Sequence, residues 1–103
     1  MNSIVQDKAR EVAALCQRRH VERLSLFGSA TTSSFDPSSS DLDFLVEFGP
    51  LPPARHAECY FGLREDLELL FGRPVDLVEP GPIRNPYFRQ AVEQSQVLLY
   101  GAP

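Results

Sequence analysis

The sequence predicts an α/β (α+β) fold, a small mixed β-sheet with helices packed on it, in the order α-β-β-α-β-α-β. Three observations lead there. Apolar residues recur at helical spacing over 3–19 and again over 54–71. Short apolar segments at 21–27, 42–48, 74–78 and 97–100 carry strand composition or alternation. The two kinds of segment interleave along the chain without an internal repeat, which is the pattern of helices laid on a sheet.

In the first helix Ile4, Val5, Ala9, Val12, Ala13 and Cys16 repeat with charges between them, and Ser3 is placed to cap it. Val21 to Phe27 is short and rich in strand formers, and it runs into Gly28-Ser29. Ala30 to Ser40 is small, polar and broken by Pro37, hence a loop, opening with at most one helical turn. Leu42, Phe44, Val46 and Phe48 alternate with Asp41, Asp43, Leu45 and Glu47, giving a strand with one apolar face. Gly49, Pro50, Pro52 and Pro53 end it. Ala57, Tyr60, Phe61, Leu67, Leu70 and Phe71 are expected to lie towards one side of the next helix, which Gly72 and Pro74 stop. Pro74 to Val78 reads as a strand interrupted by Asp76. Asn85-Pro86 starts a last helix with Asn as cap and Pro in the first turn, and Val97 to Tyr100 closes the sheet.

Bulk composition narrows the function. With 103 residues the chain is expected to form one domain, 1–103, with one core. A net charge of -4 argues against a surface built to grip nucleic-acid phosphates directly. It leaves open a nucleotide held through a metal, which brings its own positive charge. Cys16 and Cys59 stand far apart without a CxxC pattern, so two free thiols are expected rather than a zinc site. Asp7, Lys8, Arg10 and Glu11 interrupt the first apolar stretch, and no run reaches the roughly 20 apolar residues of a membrane span. A cytoplasmic protein without membrane contact is the expectation.

The chemistry concentrates on three aspartates. In a strand, residues i and i+2 share a face about 6.6 Å apart, so the carboxylates of Asp41 and Asp43 can converge. At about 4 Å and an effective dielectric near 20, two such charges repel by about 4 kcal/mol. A divalent cation turns that repulsion into attraction, and hard oxygen ligands suit Mg²⁺. A plain solvated face continued by Glu47 is the competing reading. Gly28-Ser29 ends the preceding strand, where glycine lets the backbone approach a ligand; if Ala30 onward opens a helical turn, its free N–H groups and the Ser29 hydroxyl form a phosphate cradle, and otherwise the pair is simply a turn. Asp76 sits in Pro-Val-Asp-Leu-Val with Val75 and Leu77 on one face and Asp76 and Val78 on the other. If that strand lies beside the Asp41–Asp43 strand, a third carboxylate joins the cluster; otherwise it is a charge on an exposed edge.

The string LFGSATTSSFDPSSSDLDFLVEF resembles the Gly-Ser…Asp-x-Asp signature of the DNA polymerase β-type nucleotidyltransferases, and in particular their small MNT-domain members. The helix ending in FGR, then PVDLVEP, then IRNPYFRQAVEQSQVLLY resemble the same family, so the likeness covers nearly the whole chain. The resemblance implies that Asp41 and Asp43 bind two Mg²⁺ ions. It implies that Asp76 binds the catalytic ion and helps deprotonate the attacking hydroxyl, and that Gly28 and Ser29 hold the triphosphate of ATP. It further implies an antitoxin that moves AMP from ATP to a tyrosine hydroxyl of a HEPN-domain toxin. The chain departs from the family in two places. The loop Ala30 to Ser40 is one residue longer than usual, and Thr32 stands where the family often has arginine, with the second glycine also missing. Loss of that charge keeps a second reading in play, an MNT-like antitoxin that neutralises its toxin by binding alone.

His20 and His56 show no partner in the sequence. Glu65, Asp66 and Glu68 read as the solvated face of a helix. Tyr60, Phe61, Phe71, Tyr87, Phe88 and Tyr100 are expected mostly in the core, with some left as a patch for a partner or for a second copy in a homo-oligomer.

Overall fold

The computed structural model describes residues 3–27, 41–80, 86, 87, 90 and 97–101. Its centre is β1 (Val21–Phe27), which pairs antiparallel with β2 (Leu42–Phe48) on one side and with β4 (Val97–Gly101) on the other. β3 (Val75–Val78) lies parallel to β2, so the sheet runs β3-β2-β1-β4 and is mixed, as the sequence predicts. A parallel neighbour cannot be reached by a tight turn. The chain returns through α3 (Pro53–Phe71), a helix of 19 residues.

β1 does not alternate strictly, and the reason is local. Between Val21 and Arg23 β1 carries one extra residue against β2, whereas the shift at Leu24/Ser25 places its extra residue in β4. Such a bulge turns the side chains beyond it over. Val21, Leu24 and Leu26 therefore all reach the same core, although Val21 is out of phase with the other two. β2 keeps its phase: Leu42, Phe44 and Val46 are fully buried on the helix side, while Asp43 and Glu47 lie on the other. That second face carries a small apolar cluster of its own, Phe27 and Leu45 with Val78 against them.

The first predicted helix is two segments, α1 (Ser3–Asp7) and α2 (Ala9–Arg18). At Lys8 the backbone N–H bonds back three residues to Val5 O at 3.2 Å instead of four, tightening one turn before the helix resumes. Val5, Val12 and Cys16 form the buried stripe; Ala9 is exposed, so the inward face is narrower than the apolar pattern suggests. Burial in this stripe pushes the Cys16 thiol up to about 12, which keeps it protonated and inert. Cys16 and Cys59 are both free and buried, as expected.

α3 starts with Pro53 in its first turn and ends at Gly72, whose φ of 65° is the left-handed conformation that glycine adopts without strain. Its inward residues are Cys59, Leu63 and Leu67, spaced four apart, with Tyr60, Leu70 and Phe71 partly buried beside them. Ala57 and Phe61, expected on the same side, face outwards instead. Tyr60, Phe71 and Tyr100 pack on the core, while Phe61 and Tyr87 are exposed; Phe88 lies outside the described residues. So do Gly28, Ser29, the loop through Ser40 and most of the segment expected to be the last helix, of which Pro86, Tyr87 and Gln90 are helical.

The acidic run on α3 is not simply a solvated face. Asp66 is held by Arg19 at 2.8 Å and by Arg18 at 3.4 Å, which ties the end of α2 to the middle of α3. The Arg19 guanidinium, held by this hydrogen bond and the Asp66 charge, stays firmly protonated. It crosses α3 over Gly62, where an added Cβ would stand 2.5 Å from its Cζ and Nη1. Gly62 is thus a helix-interior glycine that clears space for an ion pair. Gly62→Ala is expected to gain about 0.5–1 kcal/mol of helix propensity in an Arg19→Ala background. In the native background the methyl displaces the guanidinium and the gain vanishes or reverses. Urea unfolding of the two single variants and the double variant checks this, with a coupling of about 1 kcal/mol expected.

Candidate functional site

Two of the three aspartates, Asp43 and Asp76, are delivered by neighbouring parallel strands, while Asp41, expected in the strand with Asp43, lies just before it. Asp43 and Asp76 are direct register partners, between the pairs Leu42–Val75 and Phe44–Leu77. Because strand side chains alternate, the flanking apolar residues turn into the helix-side core and both carboxylates emerge together on the opposite face. Val75 and Leu77 are buried and Asp76 is exposed, which is the division the sequence suggests. Asp41 precedes β2 and is exposed.

Asp43 lies within electrostatic reach of both other aspartates. The Asp43 carboxyl is held above its usual range, first by burial, then by the charges of Asp76 and Asp41, and by a side-chain hydrogen bond with Asp76. Each of these causes disfavours the ionised form of Asp43. Among the described residues, no three His, Cys, Asp or Glu side chains form a group that would hold a metal ion as they stand. The donor set nevertheless suits a hard divalent cation: it consists of carboxylate oxygen alone, and the two outer members are exposed side chains able to turn towards a shared ion.

Other candidates fall elsewhere. His56 bonds Glu79 at 2.5 Å and meets Phe48 edge-on, with ring centroids 5.1 Å apart. It sits at the far end of β2 from Asp43, on the helix side. His20 has a left-handed φ of 61° between α2 and β1 and contacts Arg55 at 3.4 Å. Two hollows, of about 460 Å³ between α2 and α3 and about 260 Å³ between the first two helices and β4, are lined without any of the three aspartates. Two α3 contacts beside Asp76 have no signature in the sequence. The Tyr60 hydroxyl donates to Leu77 O at 2.5 Å, and Glu68 Oε2 accepts from Val75 N–H at 3.1 Å.

The family model described as "Nucleotidyltransferase domain" matches residues 9–99, and the chain belongs to that family. It is 31% identical over 98 residues to "Putative protein adenylyltransferase MJ0128" of Methanocaldococcus jannaschii, covering 94% of this chain and 96% of that one. The fold is similar to a solved structure described as a "putative minimal nucleotidyltransferase", with a TM-score of 0.67, 28% identity, and 94% and 95% of the two chains covered. It is also similar to a chain of the Shewanella oneidensis complex of a tri-AMPylated HEPN toxin with an MNT antitoxin. There the TM-score is 0.64 at 20% identity, over 95% of this chain and 73% of that one.

The raised Asp43 carboxyl has a consequence for stability. Below the ordinary carboxylate range, folded and unfolded chains both hold the proton and no difference arises. As pH rises through that range the unfolded chain releases it first, so the folded chain binds more protons and loses stability until Asp43 itself ionises. Asp43→Asn removes this penalty. In EDTA at neutral pH its Tm is expected to exceed that of the native protein by a few degrees, the scale of about 1 kcal/mol in a domain of this size. Near pH 3 the difference is expected to disappear. Thermal unfolding across pH measures both.

Proposed function

We propose that this chain is a Mg²⁺-dependent protein adenylyltransferase: an antitoxin, cytoplasmic and folded as one minimal domain over 1–103, that transfers AMP from ATP to a tyrosine hydroxyl of a HEPN-domain toxin. The observation that carries the reading is the register pairing of Asp43 with Asp76, with Asp41 close enough for its charge to be felt. The match to the nucleotidyltransferase domain family and the name of the 31% identical relative support it. A toxin–antitoxin complex among the structural neighbours supports the choice of partner.

In this reading Asp41, Asp43 and Asp76 hold two Mg²⁺ ions, which supply charge neutralisation for the attacking oxygen and for the leaving phosphates. Gly28 and Ser29, outside the described residues, bind the triphosphate. The tyrosine oxygen forms a bond to the α-phosphorus, the bond from that phosphorus to the bridging oxygen breaks, and pyrophosphate leaves with the electron pair. The hydroxyl proton passes to a carboxylate oxygen of Asp76, the more exposed member of the pair. Asp43, partly buried and register-fixed, orients the cluster.

A second reading has one specific observation behind it. Thr32 replaces the arginine common in the family, removing a positive charge from beside the phosphates. An antitoxin lacking that charge neutralises its toxin by occlusion alone. Incubation with α-labelled ATP, Mg²⁺ and the HEPN partner separates the two. Transfer is expected to label the partner, and Asp43→Asn to reduce labelling at least 100-fold, the order of loss seen when a group stabilising transition-state charge is removed. A tight complex that never becomes labelled would favour occlusion.

A further inference from the structure

The carboxylate at position 76 is carried by β3, a strand of four residues that among the described residues lies at the edge of the sheet with β2 as its one neighbour. A short edge strand frays readily, because half of its backbone groups have no ladder partner. In a parallel ladder, backbone groups of alternate residues face the same neighbour. Since Leu42 N–H donates to Pro74 O at 3.2 Å, residues 74, 76 and 78 turn their backbone groups to β2. Those of Val75 and Leu77 turn to the open edge.

That edge is closed from α3, at just those two residues. Glu68 Oε2 takes the N–H of Val75, and the Tyr60 hydroxyl caps the carbonyl of Leu77. Both side chains are partly buried, and these bonds go to the backbone on either side of Asp76. They lie two helical turns apart on α3, on either side of the level of Asp76. The residue that must stay level with Asp43 is therefore clamped through its neighbours on one edge and through its own ladder bonds on the other.

We infer that Tyr60 and Glu68 are positioning residues that hold the β3 edge in register, keeping the Asp76 carboxylate beside Asp43 for a divalent cation. The inference rests on the metal-dependent reading of the site. Partners that orient a ligand from behind commonly change metal affinity by 10- to 100-fold when removed. A clamp acting through the backbone of adjacent residues belongs at the lower end of that range.

The test is direct binding of Mn²⁺, followed by its electron paramagnetic resonance signal and by calorimetry, on the full chain without nucleotide. Tyr60→Phe, which removes only the hydroxyl, and Glu68→Ala are each expected to weaken Mn²⁺ binding roughly tenfold. Glu68→Gln keeps a side-chain oxygen for the Val75 N–H while losing the charge, and is expected to restore affinity to near the native value. Val12→Ala, a core truncation in α2, serves as a control that lowers Tm without touching β3, and is expected to leave affinity unchanged. Native affinity in Tyr60→Phe and Glu68→Ala would overturn the clamp while leaving the metal site standing. An equal loss in Val12→Ala, or no rescue by Glu68→Gln, would also overturn it, pointing to general loosening or to charge. Failure of the native chain to bind Mn²⁺ would sink the metal-dependent reading and the clamp with it.

Discussion

The structure depends on the parallel pairing of β2 with β3 in a single register. Parallel strands need a long return, so the chain requires a helix between them, and α3 supplies it with a proline start and a glycine stop. The register places Asp43 opposite Asp76. Strand alternation then sends Leu42, Phe44, Val75 and Leu77 into the core together and the two carboxylates away from it. A slip of one residue in either strand would move an aspartate into the apolar layer and an apolar residue into its place. The core therefore guards the site's geometry: the free energy that rejects the slipped register is the burial of those four side chains.

The same arrangement works against stability. Asp43 is held above its ordinary protonation range by burial and by two neighbouring charges, so folding brings together groups that repel. Natural proteins tolerate such conflicts where the site needs them, and compensate elsewhere. Here the compensation is visible in how α3 is fastened. Arg19 and Arg18 hold Asp66, Tyr60 and Glu68 hold the β3 edge, and Phe71 lies 6.1 Å from Phe44. α3 is both the connection that makes the parallel pairing possible and the element that keeps it from opening.

Much of this was legible in the residues. Val21–Phe27 and Leu42–Phe48 are strands where their composition says, and Gly72 ends its helix as its position suggests. The three aspartates stood out because two are spaced i and i+2 and the third interrupts an apolar strand, although β2 begins only after Asp41. Less legible were contacts that depend on which elements meet. Ala57 and Phe61 fit an apolar stripe on paper, but Cys59, Leu63 and Leu67 won the inward face because α2 and the sheet approach from that side. Asp66 and Glu68 read as solvated charges, since nothing local reveals that an arginine from α2 and an edge N–H from β3 will reach them. The bulges in β1 and β4 are equally invisible, being a property of the pairing rather than of either strand.

The amino-acid sequence by itself determined the elements, their polarity and the family, because those follow from periodicity, capping residues and a motif whose members are close in the chain. Only the tertiary structure decided that β3 runs parallel beside β2, that Asp43 and Asp76 stand level, and that Tyr60 and Glu68 close the edge next to them. These are relations between segments separated by a whole helix. Their energies come from burial and hydrogen bonds that exist only once the sheet and α3 have packed together.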